Sequence, residues 1–109
     1  MMMMNEARYK TVDVKDLASS TPRVGSLVKM RVHYAEKGKI SDMPTVMLIS
    51  ESGPMNFDLL DEVFVLLGVT ETFRNIRQMI RVELLHPNYG RLTWERDSTW
   101  WILSFVELS

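Results

Sequence analysis

Apolar and polar residues alternate most clearly over "SLVKMRVHYAEKGK". Val28, Met30, Val32 and Tyr34 point to one side and Lys29, Arg31 and His33 to the other, the period-2 signature of a half-buried strand. A polar connection is expected from Glu36 to Pro44. "TVMLIS" then reads as a strand, and Ser52-Gly53-Pro54 as a turn into "MNFDL". In "FDLLDEVFVLLGV", Leu59, Leu60, Val63, Leu66 and Leu67 recur at helical spacing with Gly68 placed as a C-cap. The same residues include β-formers that suit a buried strand, but the spacing favours a helix from about Asp58 to Leu67. Thr70 would cap a further helical turn through Phe73 and Ile76, over about 70–77, before "QMIRVELL" starts another strand. "HPNYG" is a turn, and "RLTWE" and "TWWILSFVEL" around Arg96-Asp97-Ser98 read as a terminal hairpin.

That hairpin carries all three tryptophans, Trp94, Trp100 and Trp101. On its last strand Trp100, Ile102, Ser104, Val106 and Leu108 alternate with Trp101, Leu103, Phe105 and Glu107, so both faces are mainly apolar. A strand with one wet face would not read this way. The second face needs a helix, an opposite barrel wall or a partner to cover it. Each large aromatic buries about 150–250 Å², too much apolar surface to leave in water without a reason. Two tryptophans are expected in the core. Trp94, Trp100, Trp101 and Phe105 are the candidate partner-binding residues, since aromatic anchors dominate protein interfaces.

The element order predicts a mainly β fold with one or two short helices: a five- or six-stranded small β-barrel, OB-like. The alternative is an α+β open antiparallel sheet with a helix on one face. The length of 109 residues fits one domain, taken as residues 6–109, with Met1 to Asn5 set aside as disordered or artefactual. Hydrophobic residues at 46% and charged residues at 25% exclude wholesale disorder.

The net charge of −1 excludes a strongly cationic nucleic-acid binder. It hides an uneven distribution: +4 over residues 1–40, −6 over 41–72 and +1 over 73–109. The outward row Lys29, Arg31 and His33, with Arg23 and Lys37 near its ends, is the candidate nucleic-acid-binding surface, because alternating cations can follow a phosphate backbone. Edge strands also carry such cations simply to discourage pairing. Arg74, Arg77 and Arg81 would form a second row only on a helix.

Candidate chemistry is sparse. There is no cysteine, which removes disulfides, thiolate metal sites and cysteine nucleophiles, and fits a reducing compartment. His33 and His86 have no HExxH context, the glycines are scattered singly, and no serine sits in GxSxG. Asp58, Asp61 and Glu62 would share a helical face, where the acidic first turn of a helix accounts for them better than a divalent cation does. The expectation is a non-enzymatic chain without metal or cofactor. No apolar run approaches the about 20 residues that span a bilayer. An intracellular protein, cytoplasmic or nuclear, that makes no membrane contact is expected.

"VDVKDLASSTPRVGSLVKMRVHYAEKGK" resembles the start of very small OB-fold subunits. In these a lead segment with an Asp-Leu pair reaches a Gly-Ser turn and an alternating first strand. Examples are the smallest subunit of the telomere-capping CST complex and, more distantly, the small subunit of replication protein A. The resemblance covers about 30 residues, and the tryptophan-rich end has no match in it. It implies an accessory subunit of a complex that handles single-stranded DNA. Such a subunit binds a larger protein partner, often through a terminal helix, and contributes to single-strand binding; here a sheet face or the terminal hairpin is the expected partner contact. A homo-oligomer is the other partner expected. The rival readings are a stand-alone protein-binding or inhibitory domain of the immunity or effector type, whose acidic 41–72 segment meets a basic target, and a small ligand-binding barrel with tryptophans lining its cavity.

Overall fold

The computed structural model describes residues 10–12 and 22–108, the first three through their backbone. All regular structure among them is β: β1 Lys10–Val12, β2 Leu27–Glu36, β3 Lys39–Asp42, β4 Thr45–Ser50, β5 Gly53–Asp58, β6 Phe64–Arg74, β7 Arg77–His86, β8 Gly90–Asp97 and β9 Trp101–Leu108. They form one sheet in the order β1-β9-β2-β6-β7-β8-β4-β5, with β3 on β2. Every pairing is antiparallel.

The alternation in β2 sets the inside of the fold. Val28, Met30 and Val32 are fully buried, and β9 runs along the whole strand from Leu27↔Leu108 to Tyr34↔Trp101. The other edge of β2 is shared. β6 takes Leu27 and Val28, β3 takes His33 to Glu36, and the gap between them is bridged from across the molecule. Met43 N–H donates to Val32 O at 3.0 Å, and the carbonyls of Leu59 and Leu60 accept from Arg31 and Lys29 at 3.0 and 2.9 Å. The sheet therefore curls until the segments flanking β4 and β5 meet β2, enclosing a single core. Phe57, Phe64, Leu66, Ile80, Leu84, Leu92, Trp94, Leu103 and Phe105 fill it. A small curled β-barrel architecture is the result, with more strands than the five or six expected.

Neither expected helix exists, which also removes the open sheet with a helix on one face. Helical hydrogen bonding starts and stops within one turn. Asp58 accepts the Leu60 N–H on its side chain, and its carbonyl accepts from Asp61 and Glu62. Beyond that, the β-branched and aromatic run Val63-Phe64-Val65 finds sheet edges on both sides, and Phe64 and Leu66 turn inward. Periodicity in so short an apolar run fits either element, and tertiary pairing decided it. Gly68 caps nothing; it sits at a bulge in the β6–β7 ladder, where the register shifts between Leu66 and Gly68. The helical turn expected over 70–77 is instead the tip of the β6–β7 hairpin. Its turn residues Asn75 and Ile76 both have positive φ, 52° and 60°. The helix that an OB barrel places between its third and fourth strands has no counterpart among the described residues.

Two further corrections concern connections. The polar stretch after Glu36 is not a loop, because Lys37 and Gly38 at φ 50° and 78° make a two-residue turn and return the chain as β3. The expected terminal hairpin is absent as well. β8 pairs with β7 and β4, and β9 pairs with β2 and β1. The residues between them form an arch joining two walls of the barrel. Both faces of β9 are buried at its centre, Ser104 at 0% and Val106 at 6% exposure, so the second apolar face is covered within the single chain. The opening methionines and the lead segment 13–21 of the resemblance lie outside the described residues.

Candidate functional site

The β8–β9 arch gathers the aromatic residues. Asp97 shapes it: its carboxylate accepts the Thr99 N–H at 2.8 Å and its carbonyl the Trp100 N–H at 3.3 Å. Hydrogen bonds from the Thr99 backbone and side chain, with the Arg77 charge adding to them, hold the Asp97 carboxyl below the usual carboxylate range against a small opposing effect of burial. Ser98 donates through both its N–H and its hydroxyl to Gln78 O at 2.9 Å, and Ala35 N–H donates to Trp100 O at 2.8 Å. The arch is thus fastened to β7 on one side and β2 on the other.

Under it lies an aromatic stack. Trp94, 1% exposed, meets Trp101 edge-on, with centroids 6.1 Å apart and planes at 87°. Tyr34 packs on Trp101 at 4.9 Å. The Arg96 guanidinium lies 5.5 Å from both indole centroids, and its Nη1 donates to Glu95 O at 2.8 Å. Cation–π attraction and a backbone tether therefore fix Arg96 in place. Trp100 precedes Trp101 in the chain, its backbone held by hydrogen bonds to Asp97 and Ala35, and is 44% exposed.

Of the four aromatic positions offered for partner contact, Trp94 and Phe105 are core residues with no surface to present, at 1% and 0% exposure. Trp101 is half-buried as the lining of the arch, which leaves Trp100 the most exposed of the four. Two sequence signals separate these tryptophans. Trp94 and Trp101 sit at inward positions of their strands, whereas Trp100 falls in the Asp97-Ser98-Thr99 turn, where alternation does not apply.

The basic row is spread differently from the sequence pattern. Lys29 and Arg31 are half-buried and engaged with the Leu60 and Leu59 carbonyls, closing the seam beside β2. His33 lies 3.5 Å from Asp42 on β3. Arg23, before β2, and Lys37, in the β2–β3 turn, are exposed. The structure does not bring these five cations together on one open surface.

The second histidine belongs to the interior. His86 Nδ1 accepts the Asn88 N–H at 3.1 Å, so Nε2 carries the proton and donates to Glu62 Oε1 at 2.8 Å. The ring, boxed by Phe57, Phe64 and Tyr89, ties the β5–β6 connection to the end of β7. Asp58 and Glu62 are both occupied within the chain, and among the described residues no group of three or more His, Cys, Asp or Glu is placed to hold a metal ion. No helix among the described residues is long and apolar enough to cross a membrane. Comparison with known proteins finds no family model, no curated protein and no solved structure that matches this chain.

Proposed function

We propose that this chain is a non-enzymatic interaction module, an accessory subunit that docks a larger protein partner through the β8–β9 arch, with Trp100 as the anchor. The observation that carries the reading is an exposed tryptophan in an arch whose backbone is hydrogen-bonded to two neighbouring strands, next in the chain to the packed Trp101. Interface anchors gain most when their conformation is fixed before binding, because less entropy is lost on association. Charges at this end of the barrel are balanced: Arg74, Arg77 and Arg96 stand with Glu71, Glu95 and Asp97. A desolvated aromatic contact suits such a surface better than a phosphate backbone does. The N-terminal resemblance to small OB-fold subunits supports a partner in a complex that handles single-stranded DNA. Exposed Arg23 and Lys37 are then the residues of the basic row open to a secondary nucleic-acid contact.

A photo-cross-linker placed at position 100 identifies the partner in its source, and the purified pair is then titrated. Trp100→Ala is expected to weaken binding about thirtyfold or more, the scale of an interface hot spot, while thermal unfolding stays within about 0.5 kcal/mol of the parent. Equal affinity of parent and variant for every cross-linked protein would remove the arch as the docking site.

A further inference from the structure

The inward rows of the β6–β8 wall end in a charge. Cross-strand register sets Val69, Val82 and Trp94 side by side on the core face, and one row nearer the arch it sets Glu71, Ile80 and Arg96. Strand alternation therefore points Arg96 the same way as buried Trp94, and not outward with Glu95 and Asp97. The residue is half-buried, its guanidinium 5.5 Å from the centroids of Trp94 and Trp101, whose rings stand at 87°. Cation–π attraction acts on the charge and leaves the five N–H groups to find acceptors of their own. Within the chain Nη1 does so, on Glu95 O, while Nη2 and Nε have no acceptor among the described residues.

Arg96 also differs from the other arginines of this wall. Arg74 pairs with Glu95, Arg77 with Asp97, and Arg81 and Arg91 both with Glu83. All of these alternate onto the outer face, so Glu95 and Asp97 are engaged there and turned away from Arg96. Glu71 shares the face of Arg96 but lies two strands away across Ile80, roughly 10 Å at the backbone, and forms no ion pair with it. The buried Trp94 indole N–H likewise finds no acceptor among the described residues. The cluster thus holds a guanidinium edge and an indole N–H with nothing to receive them. Taking a charge partly out of water without a counter-charge costs free energy, and a native group left so calls for a missing partner.

We infer that Arg96, held between Trp94 and Trp101, is a binding site for a single carboxylate, carried by a small organic acid or by an acidic side chain of another protein. Nε and Nη2 form one edge of the guanidinium, and a carboxylate meets such an edge in its plane with two parallel N–H···O bonds. One uncompensated positive charge is matched by one carboxylate, and Glu71 on the same face disfavours an anion of higher charge. The indole walls keep water from part of the contact, which strengthens it over a fully exposed pair. They also hold the guanidinium in place before the ligand arrives, so little side-chain entropy is lost on binding. A partner at Trp100 is not needed for this binding.

Nuclear magnetic resonance titration of the full chain at constant ionic strength tests it, read on the Arg96 Nε–Hε signal and the indole signals of Trp94 and Trp101. The probes are butyrate, for a free acid, and N-acetylglutamate N-methylamide, for a protein side chain. Saturable shifts with a dissociation constant of about 1–10 mM are expected, and the tighter of the two probes identifies the source. Arg96→Gln should abolish the indole shifts, and Arg96→Lys, which keeps the charge but not the fork, should weaken binding at least about fivefold. Glu71→Gln, at an exposed position, should tighten it about twofold by removing a like charge roughly 10 Å from the ligand. That variant keeps the test decisive if the Arg96 variants lose the fold. Absence of shifts at about 100 mM of either probe, undiminished binding to Arg96→Gln, or weaker binding to Glu71→Gln would overturn the assignment. Inorganic phosphate binding more tightly than both probes would overturn the choice of a carboxylate.

Discussion

Replacing Ile76 with glycine or asparagine should make this protein more stable, although it removes a hydrophobic side chain. At 99% exposure the isoleucine contributes no packing to lose. Its φ of 60° places an L-residue where the backbone costs roughly 1–2 kcal/mol. Glycine removes that strain but gives back about 0.5–1 kcal/mol in unfolded-state entropy. The net gain is therefore about 0.5–1 kcal/mol for Ile76→Gly and about 1 kcal/mol for Ile76→Asn, which tolerates the conformation without that loss. For a domain of this size the rise in Tm is about 2–6 °C. Gly38 supplies the mirror experiment. It has φ +78°, and a Cβ built there meets nothing within 4 Å, so Gly38→Ala isolates the same backbone strain with no steric term. It should destabilise by about 0.5–1 kcal/mol. Urea and thermal unfolding followed by circular dichroism, at concentrations where the chain is monomeric, measure both changes. Ile76→Val keeps the branched Cβ and should leave stability unchanged. If Ile76→Gly and Ile76→Asn were both neutral or destabilising, the turn would not carry the strain assigned to it.

Three other outcomes follow from the interior. Trp94→Ala should cost about 3–5 kcal/mol as a core truncation, whereas Trp94→Phe should cost under about 2 kcal/mol. The smaller ring keeps part of the packing and removes an indole N–H that finds no hydrogen-bond partner among the described residues. Denaturant titration of the two variants tests the ordering. Arg31→Met keeps the aliphatic stem of the seam but deletes the donor to Leu59 O, and should lower stability by about 1–3 kcal/mol. If it left both stability and hydrogen exchange of Met43 and Leu59 unchanged, the seam would be held by other contacts. Asp97 carries the acid dependence of the arch. Its carboxyl is held below the usual range in the folded state, so its contribution is fully present above the unfolded value and is lost as pH falls through the folded one. Asp97→Asn should therefore flatten the acid limb of stability against pH, and an unaltered limb would show that the Thr99 contacts do not matter to folding.

Much of this fold is written locally. Alternation in 27–36 fixes which side chains of β2 face inward. "HPNYG" closes β7 onto β8 with His86 opposite Gly90, and β4, β5, β7, β8 and β9 fall where their β-formers and turn residues place them. The double apolar character of β9 correctly required both of its faces to be covered. Non-local pairing decided the rest. Residues 58–67 have a period that suits a helix, and they become strand because Phe64 and Val65 meet unpaired edges of β2 and β7 that no local pattern contains. The same remoteness parts β8 from β9. Their turn looks like a hairpin, yet each strand has partners elsewhere, and that separation places Trp94 in the core, Trp101 under the arch and Trp100 outside. The cations Lys29 and Arg31 could be read from sequence as a ligand surface because charge is visible there, while the carbonyls of Leu59 and Leu60 that accept from them are about 30 residues away. Hydrophobic pattern is a one-dimensional record of which faces are buried. What buries them, and which tryptophan is left over, depends on pairings between distant segments, and only the curled sheet supplies those.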